Sequence, residues 1–133
     1  MSISISVDIS TENDIVTARQ KGRFLAKELG FSIVDQCRIA TGISELARNI
    51  FLYAPTGKII ISSIVKNSRQ GIAIVAEDNG PGISDIKLAL LDGFSTSNGL
   101  GMGLPGCQRL MDEFEIKSEL DIGTKIVIKK WLD

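Results

Sequence analysis

Residues 3–9 alternate without a break, with Ile3, Ile5, Val7 and Ile9 on one side and Ser4, Ser6 and Asp8 on the other. A period of two belongs to a strand with one wet face, so a half-buried strand is predicted here. The period then changes. Ile15, Ala18, Leu25 and Leu29 recur at helical spacing behind Thr11-Glu12-Asn13-Asp14, a cap followed by acidic first-turn residues. Gly30 stands where such a helix would stop. A second, longer helical pattern covers residues 33–53 and is ended by Pro55 and Gly57. Two β-rich runs, 58–66 and 71–77, flank the polar Asn67-Ser68-Arg69-Gln70 and predict a hairpin. Residues 72–76 are apolar throughout, as a central strand would be.

Asp78-Asn79-Gly80-Pro81-Gly82 breaks that strand, and Ser84 is placed to cap a short helix over 84–91. Residues 92–103 hold four glycines, two serines and a threonine. A connection of that length and composition is a candidate lid. Leu104-Pro105 opens a helix to about residue 111, since proline suits a first turn. A last hairpin, 114–119 and 124–131, turns at Leu120-Asp121-Ile122-Gly123. Strands and helices mix without βαβ alternation, which predicts an α+β fold: a two-layer sandwich of one mixed sheet with helices on one face. At 133 residues the expectation is one domain, 1–133.

Composition narrows the function classes. A net charge of −1 provides no electrostatic basis for nucleic acid or an anionic membrane as the main partner. No apolar run approaches the roughly 20 residues of a transmembrane helix, and the N-terminus lacks a signal-peptide layout. Cys37 and Cys107 lie far apart with no C-x-x-C, which fits reduced, structural cysteines in a cytoplasmic protein. Histidine is absent, so this chain has no imidazole acid/base and no phosphohistidine acceptor.

Three stretches carry chemistry. On the second helix Glu45 and Asn49 are four residues apart and stack on one side. At about 100° per residue they flank an apolar stripe of Ile39, Ile43, Leu46, Ile50 and Tyr53, with Gly42 leaving a gap beside them and Arg48 pointing away. Alone, such a pair is common surface decoration. Asp78 sits at the end of the predicted central strand, where an unpaired charge is costly. Alone, its D-N-G turn is only a turn, but the carboxylate could accept from the 6-amino group of adenine and would face guanine's oxygen acceptor to acceptor. Gly80 and Gly82 alternate there, allowing backbone to pass close to something flat. Gly99-Leu100-Gly101-Met102-Gly103-Leu104 runs into a helix start, a place for an anion. It is neither a dinucleotide fingerprint nor a P-loop.

The ordered set is more specific than its parts. E-x-x-x-N on a helix, D-x-G-x-G after a strand, G-x-G-x-G before a helix and G-T (Gly123-Thr124) at a strand start resemble the GHKL ATP-binding fold. That superfamily includes the ATPase component of DNA gyrase, MutL and sensor histidine kinases. The resemblance implies ATP and Mg²⁺ as cofactors, with Asn49 holding the ion and Glu45 as general base. It also implies Asp78 on the adenine amine supported by Thr124, Gly80 and Gly82 lining the base, and Gly99, Gly101, Gly103 and Leu104 at the phosphates. Neither a transducer domain nor a dimerisation helix pair fits in 133 residues. The chain therefore resembles the stand-alone serine kinase and anti-sigma branch, and within it the switch kinases of the bacterial stressosome. Expected partners are STAS-domain proteins as substrates and a Mg²⁺/Mn²⁺-dependent serine phosphatase as an activated target. The alternatives are an anti-sigma kinase that binds a sigma factor directly, and an ATP-gated adaptor with little catalysis. A carboxylate beside the metal ligand favours the kinase over the adaptor.

Overall fold

The computed structural model describes residues 3–82 and 103–133. In order these form β1 (Ser4–Ile9), α1 (Glu12–Leu29), α2 (Ile33–Tyr53), β2 (Gly57–Lys66) and β3 (Arg69–Asp78), then α3 (Gly103–Leu110), β4 (Glu113–Glu119) and β5 (Gly123–Trp131). The helix expected over 84–91, and the lid with Gly99 and Gly101, lie outside the described residues.

Local chemistry sets the boundaries. Asp14 reaches back to accept from the backbone N–H of Thr11 at 2.8 Å and of Ser10 at 2.9 Å, closing the start of α1. Gly30 ends that helix at φ 97°. Ser32 Oγ accepts from Asp35 N at 3.1 Å and caps α2. The β2–β3 turn is tighter than the polar tetrapeptide suggests: only Asn67 and Ser68 remain unpaired, both at positive φ (53° and 65°). That is the handedness a two-residue hairpin turn needs to match strand twist.

The strands form one five-stranded sheet in the order β1-β2-β3-β5-β4. Every pairing is antiparallel, which corrects the expectation of a mixed sheet. The α+β two-layer arrangement stands. The register stacks the inward residues in rows across the sheet, one row being Val7, Ile59, Ala76, Ile126 and Ile116. A neighbouring row is Ile5, Ile61, Ile74, Ile128 and Phe114. These rows meet Ile39, Ile43, Leu46 and Ile50 of α2 and Ile15, Ala18 and Leu25 of α1 in one core. Tyr53, expected on the apolar stripe, is exposed in the last turn. The space at Gly42 is filled: Ile128, Cys107 and Met111 lie 3.4–3.6 Å from where its Cβ would be. That glycine admits α3 and the residue after it; it leaves no gap for a ligand.

Candidate active site

One inward row consists of Ile9, Gly57, Asp78, Thr124 and Ser118, one residue from each strand at one end of the sheet. Asp78 and Thr124 are far apart in sequence, and antiparallel pairing of β3 with β5 makes them direct partners. Asp78 Oδ1 accepts from Gly80 N at 2.9 Å and from Thr124 N at 3.3 Å. The second carboxylate oxygen has no donor among the described residues. Gly123 is required for this approach: at φ 150° the Asp78 carbonyl occupies the place of a Cβ. Thr124 Oγ1 lies 3.0 Å from Ser118 Oγ, and Ser118 Oγ donates to Gly123 O at 3.3 Å.

The turn after Asp78 is held from both sides. Asn79 Oδ1 accepts from Thr56 N at 3.3 Å and Thr56 Oγ1 at 3.1 Å. Pro81 O accepts from Asp121 N at 2.8 Å, tying the turn to the β4–β5 connection. Gly80 lies against the Tyr53 carbonyl and Ala54 at the end of α2. Gly82, at φ 81°, has the Glu119 carbonyl where a side chain would be. A cavity of about 540 Å³ reaches Asp78 from the β1–β2 side; outward-facing Asp8, Lys58 and Glu77 line it along with Ile9 and Gly57, and Thr124 does not. It touches neither Glu45 nor Asn49, so the charged constellation extends beyond it.

Eight residues before Tyr53, about 12 Å back along α2, sits Glu45. It is 7% exposed, and both of its oxygens are engaged. Arg48 Nη1 donates to Oε1 at 2.9 Å, and Gly103 N, the first residue of α3, donates to Oε2 at 3.1 Å. A carboxylate suits the positive end of a helix. Arg48 therefore does not point away, as helical angles alone suggest: it lies about 60° from Glu45, and its long stem turns back. Asn49 lies one turn on from Glu45, half-buried, its amide without a protein hydrogen bond among the described residues. Leu104 is buried in the core, so what it can offer a ligand is backbone. The described part of the site thus has a polar notch at Asp78 where β3 ends, and on α2 an unpaired amide at Asn49 and a buried carboxylate at Glu45.

No three His, Cys, Asp or Glu side chains group into a metal cage among the described residues. The donor set suits Mg²⁺ brought in with phosphates, since that ion takes few protein oxygens and Asn49 supplies one. Cys107 lies behind Glu45, its thiol pushed up to about 12 by burial and then by the Glu45 charge. It is a packing residue rather than a nucleophile. The Arg48 partner was readable as acid–base spacing of three on a helix. Ser118 needed the hairpin register, and the Asn79–Thr56 clasp carries no sequence signal.

The pattern of histidine kinase-, DNA gyrase B- and HSP90-like ATPases matches residues 34–133, and the chain belongs to that family of ATP-binding proteins. It is 60% identical over 126 residues to the serine/threonine-protein kinase RsbT of Bacillus subtilis (strain 168), covering 95% of each chain. That likeness over nearly the full length of both makes the chain an enzyme of the same kind, a serine/threonine-protein kinase. An anti-sigma F factor of Clostridium perfringens is 31% identical over 90% of this chain and 89% of its own. Among solved structures, the RsbU and RsbW domains of a Mycobacterium tuberculosis protein share the fold at 18% identity with a TM-score of 0.68, over all of this chain and 33% of that one. The catalytic domain of the histidine kinase ThkA shares it at 16% identity with a TM-score of 0.52, over 98% and 95%. No helix among the described residues is long and apolar enough to cross a membrane.

Proposed function

We propose that residues 1–133 act as one cytoplasmic kinase domain that transfers the γ-phosphoryl of ATP to a serine or threonine of a STAS-domain protein in a stress-signalling cascade. The observation that carries the reading is the buried Glu45 carboxylate, fixed by Arg48 and the first N–H of α3, one turn from the unpaired amide of Asn49. Asp78 accepts from the adenine amine through its spare oxygen, with Thr124 beside it and Gly80 and Gly82 against the base. Gly99 and Gly101 would offer backbone N–H groups to the phosphates, Gly103 closes that loop onto the general base by donating its N–H to Glu45, and Leu104 anchors the helix start in the core. Asn49 would hold Mg²⁺, which supplies charge neutralisation at the phosphates. Glu45 takes the proton of the attacking hydroxyl. Each carboxylate oxygen has two lone pairs, so the bonds from Arg48 and Gly103 orient the base without exhausting it.

Released from its substrate, the kinase binds and activates a Mg²⁺/Mn²⁺-dependent serine phosphatase; the 60% identity to RsbT supports this branch. The likeness to anti-sigma F factors favours a second reading, direct binding of a sigma factor. Glu45→Gln tests the first reading. Transfer from labelled ATP to a purified STAS-domain protein should fall by about 10²-fold or more, with ATP affinity nearly unchanged. Transfer at the wild-type rate would remove Glu45 from the base role. Retention of a phosphatase rather than a sigma factor on the immobilised kinase decides between the two partners.

A further inference from the structure

Ser118 has no part in the reading above, yet it touches the hydroxyl beside Asp78. Two of its Oγ contacts together point to a direction. A carbonyl only accepts, so in the 3.3 Å bond to Gly123 O the serine must donate. A serine hydroxyl has one proton. In the 3.0 Å contact with Thr124 Oγ1 the proton therefore comes from threonine. With its proton turned toward β4, Thr124 presents only lone pairs to the notch. Asp78's spare oxygen also presents only lone pairs.

We infer that Ser118 is a positioning residue that holds Thr124 as an acceptor, so that the notch reads a purine by its 6-amino group and refuses a 6-oxo group. This rests on the ATP reading above. Adenine offers an amine to the two acceptors, directly or through water. Hypoxanthine and guanine offer an oxygen at that place, and no donor meets it. Asp78 alone does not secure this, because N1–H of a 6-oxopurine can donate to the carboxylate. The outcome then depends on the neighbouring hydroxyl. If Thr124 could rotate and donate, the oxygen would be satisfied as well, and discrimination would weaken. A buried acceptor left unpaired is a strong basis for rejection. The contact with Ser118 removes that rotation.

The test measures dissociation constants of ATP and ITP by calorimetry for the wild type, Ser118→Ala, Thr124→Val and the double variant. The wild type should prefer ATP, and Ser118→Ala should shrink the ATP-to-ITP preference by roughly 10-fold, the worth of one hydrogen bond to a buried oxygen. Ser118→Cys keeps the volume with a poor donor and should shift the ratio the same way, which covers the case in which alanine disturbs the hairpin. In the Thr124→Val background the serine substitution should no longer change the ratio. A Ser118 variant that weakens both nucleotides by one factor, leaving the ratio as it was, makes the serine merely structural and overturns the inference. A wild type that binds ATP and ITP equally well does the same while leaving the ATP reading intact. Failure of the wild type to bind either triphosphate would overturn both.

Discussion

Strand β5 turns four residues inward, Thr124, Ile126, Ile128 and Lys130, polar at both ends and apolar between. The two ends of the sheet therefore pose one physical problem, a polar group where core meets water, and answer it differently. At the far end Lys130, 8% exposed, donates to Leu110 O at 3.3 Å and lies 3.8 Å from Asp35 and 3.6 Å from Asp112. Asp112 in turn accepts from Trp131 N at 2.8 Å. The ammonium has partners on α2, at the last residue of α3 and just before β4, so it locks helices to sheet. At the near end Asp78 spends one oxygen on the backbone N–H groups of Gly80 and Thr124 and keeps the other open. A buried charge that is fully paired speaks of architecture; a part-buried one that keeps an oxygen open has room for a ligand.

The largest expected effect breaks the near end. Asp78→Asn keeps an oxygen for the two backbone donors and turns an NH₂ toward the adenine amine, donor against donor. ATP affinity should fall by about 10²-fold, the worth of one hydrogen bond to a charged group, while the melting temperature barely moves. Calorimetry and thermal melts check both halves. Unchanged affinity would mean that the spare oxygen faces no nucleotide. The far end should respond in reverse. Lys130→Ala removes the buried ammonium and its packed stem, and should cost about 2–4 kcal/mol of stability, read from chemical denaturation, with ATP affinity unaltered. A tenfold loss of affinity in a well-folded Lys130→Ala protein would show that the two ends do not divide the labour in this way.

Much of the near end is legible in the sequence because its residues are tied to backbone events. Asp78 ends an apolar strand, Gly123-Thr124 opens another, and the glycines mark sites where neighbouring backbone lies close. Glu45 and Asn49 stand out through helical spacing. The far end is less legible: alternation from Ile126 and Ile128 carries Lys130 inward, but a lysine there gives no sign that it is buried or what it meets. The β3–β5 register, with Ile72 opposite Lys130, and the carboxylates brought by α2 and Asp112 show both. The sheet's direction is hidden for a related reason. The connection between β3 and β5 contains a helix, which suggests a parallel return, but β4 forms a hairpin with β5 outside it and reverses the path. Arg48 is misplaced by a helical wheel because an angle ignores the reach of a long side chain.

A third carboxylate gives the smallest and most diagnostic expected effect. Asp14 lies at the surface at the start of α1, with partners all within four residues, and accepts from Ser10 N, Thr11 N and, at 3.3 Å, Ser10 Oγ. The Ser10 and Thr11 backbone donors hold its carboxyl below the ordinary value of 3.8. The folded state thus binds the proton less readily than the unfolded chain, so this contribution is present above the unfolded value and lost as pH falls through the lowered folded one. Asp14→Asn should lower the melting temperature slightly at pH 7, by less than Lys130→Ala, and the difference from wild type should shrink below about pH 4. ATP affinity at neutral pH should not change. A pH-independent gap between the two melting curves would show that the charge of Asp14 contributes nothing to the cap, leaving hydrogen-bond geometry alone to explain it.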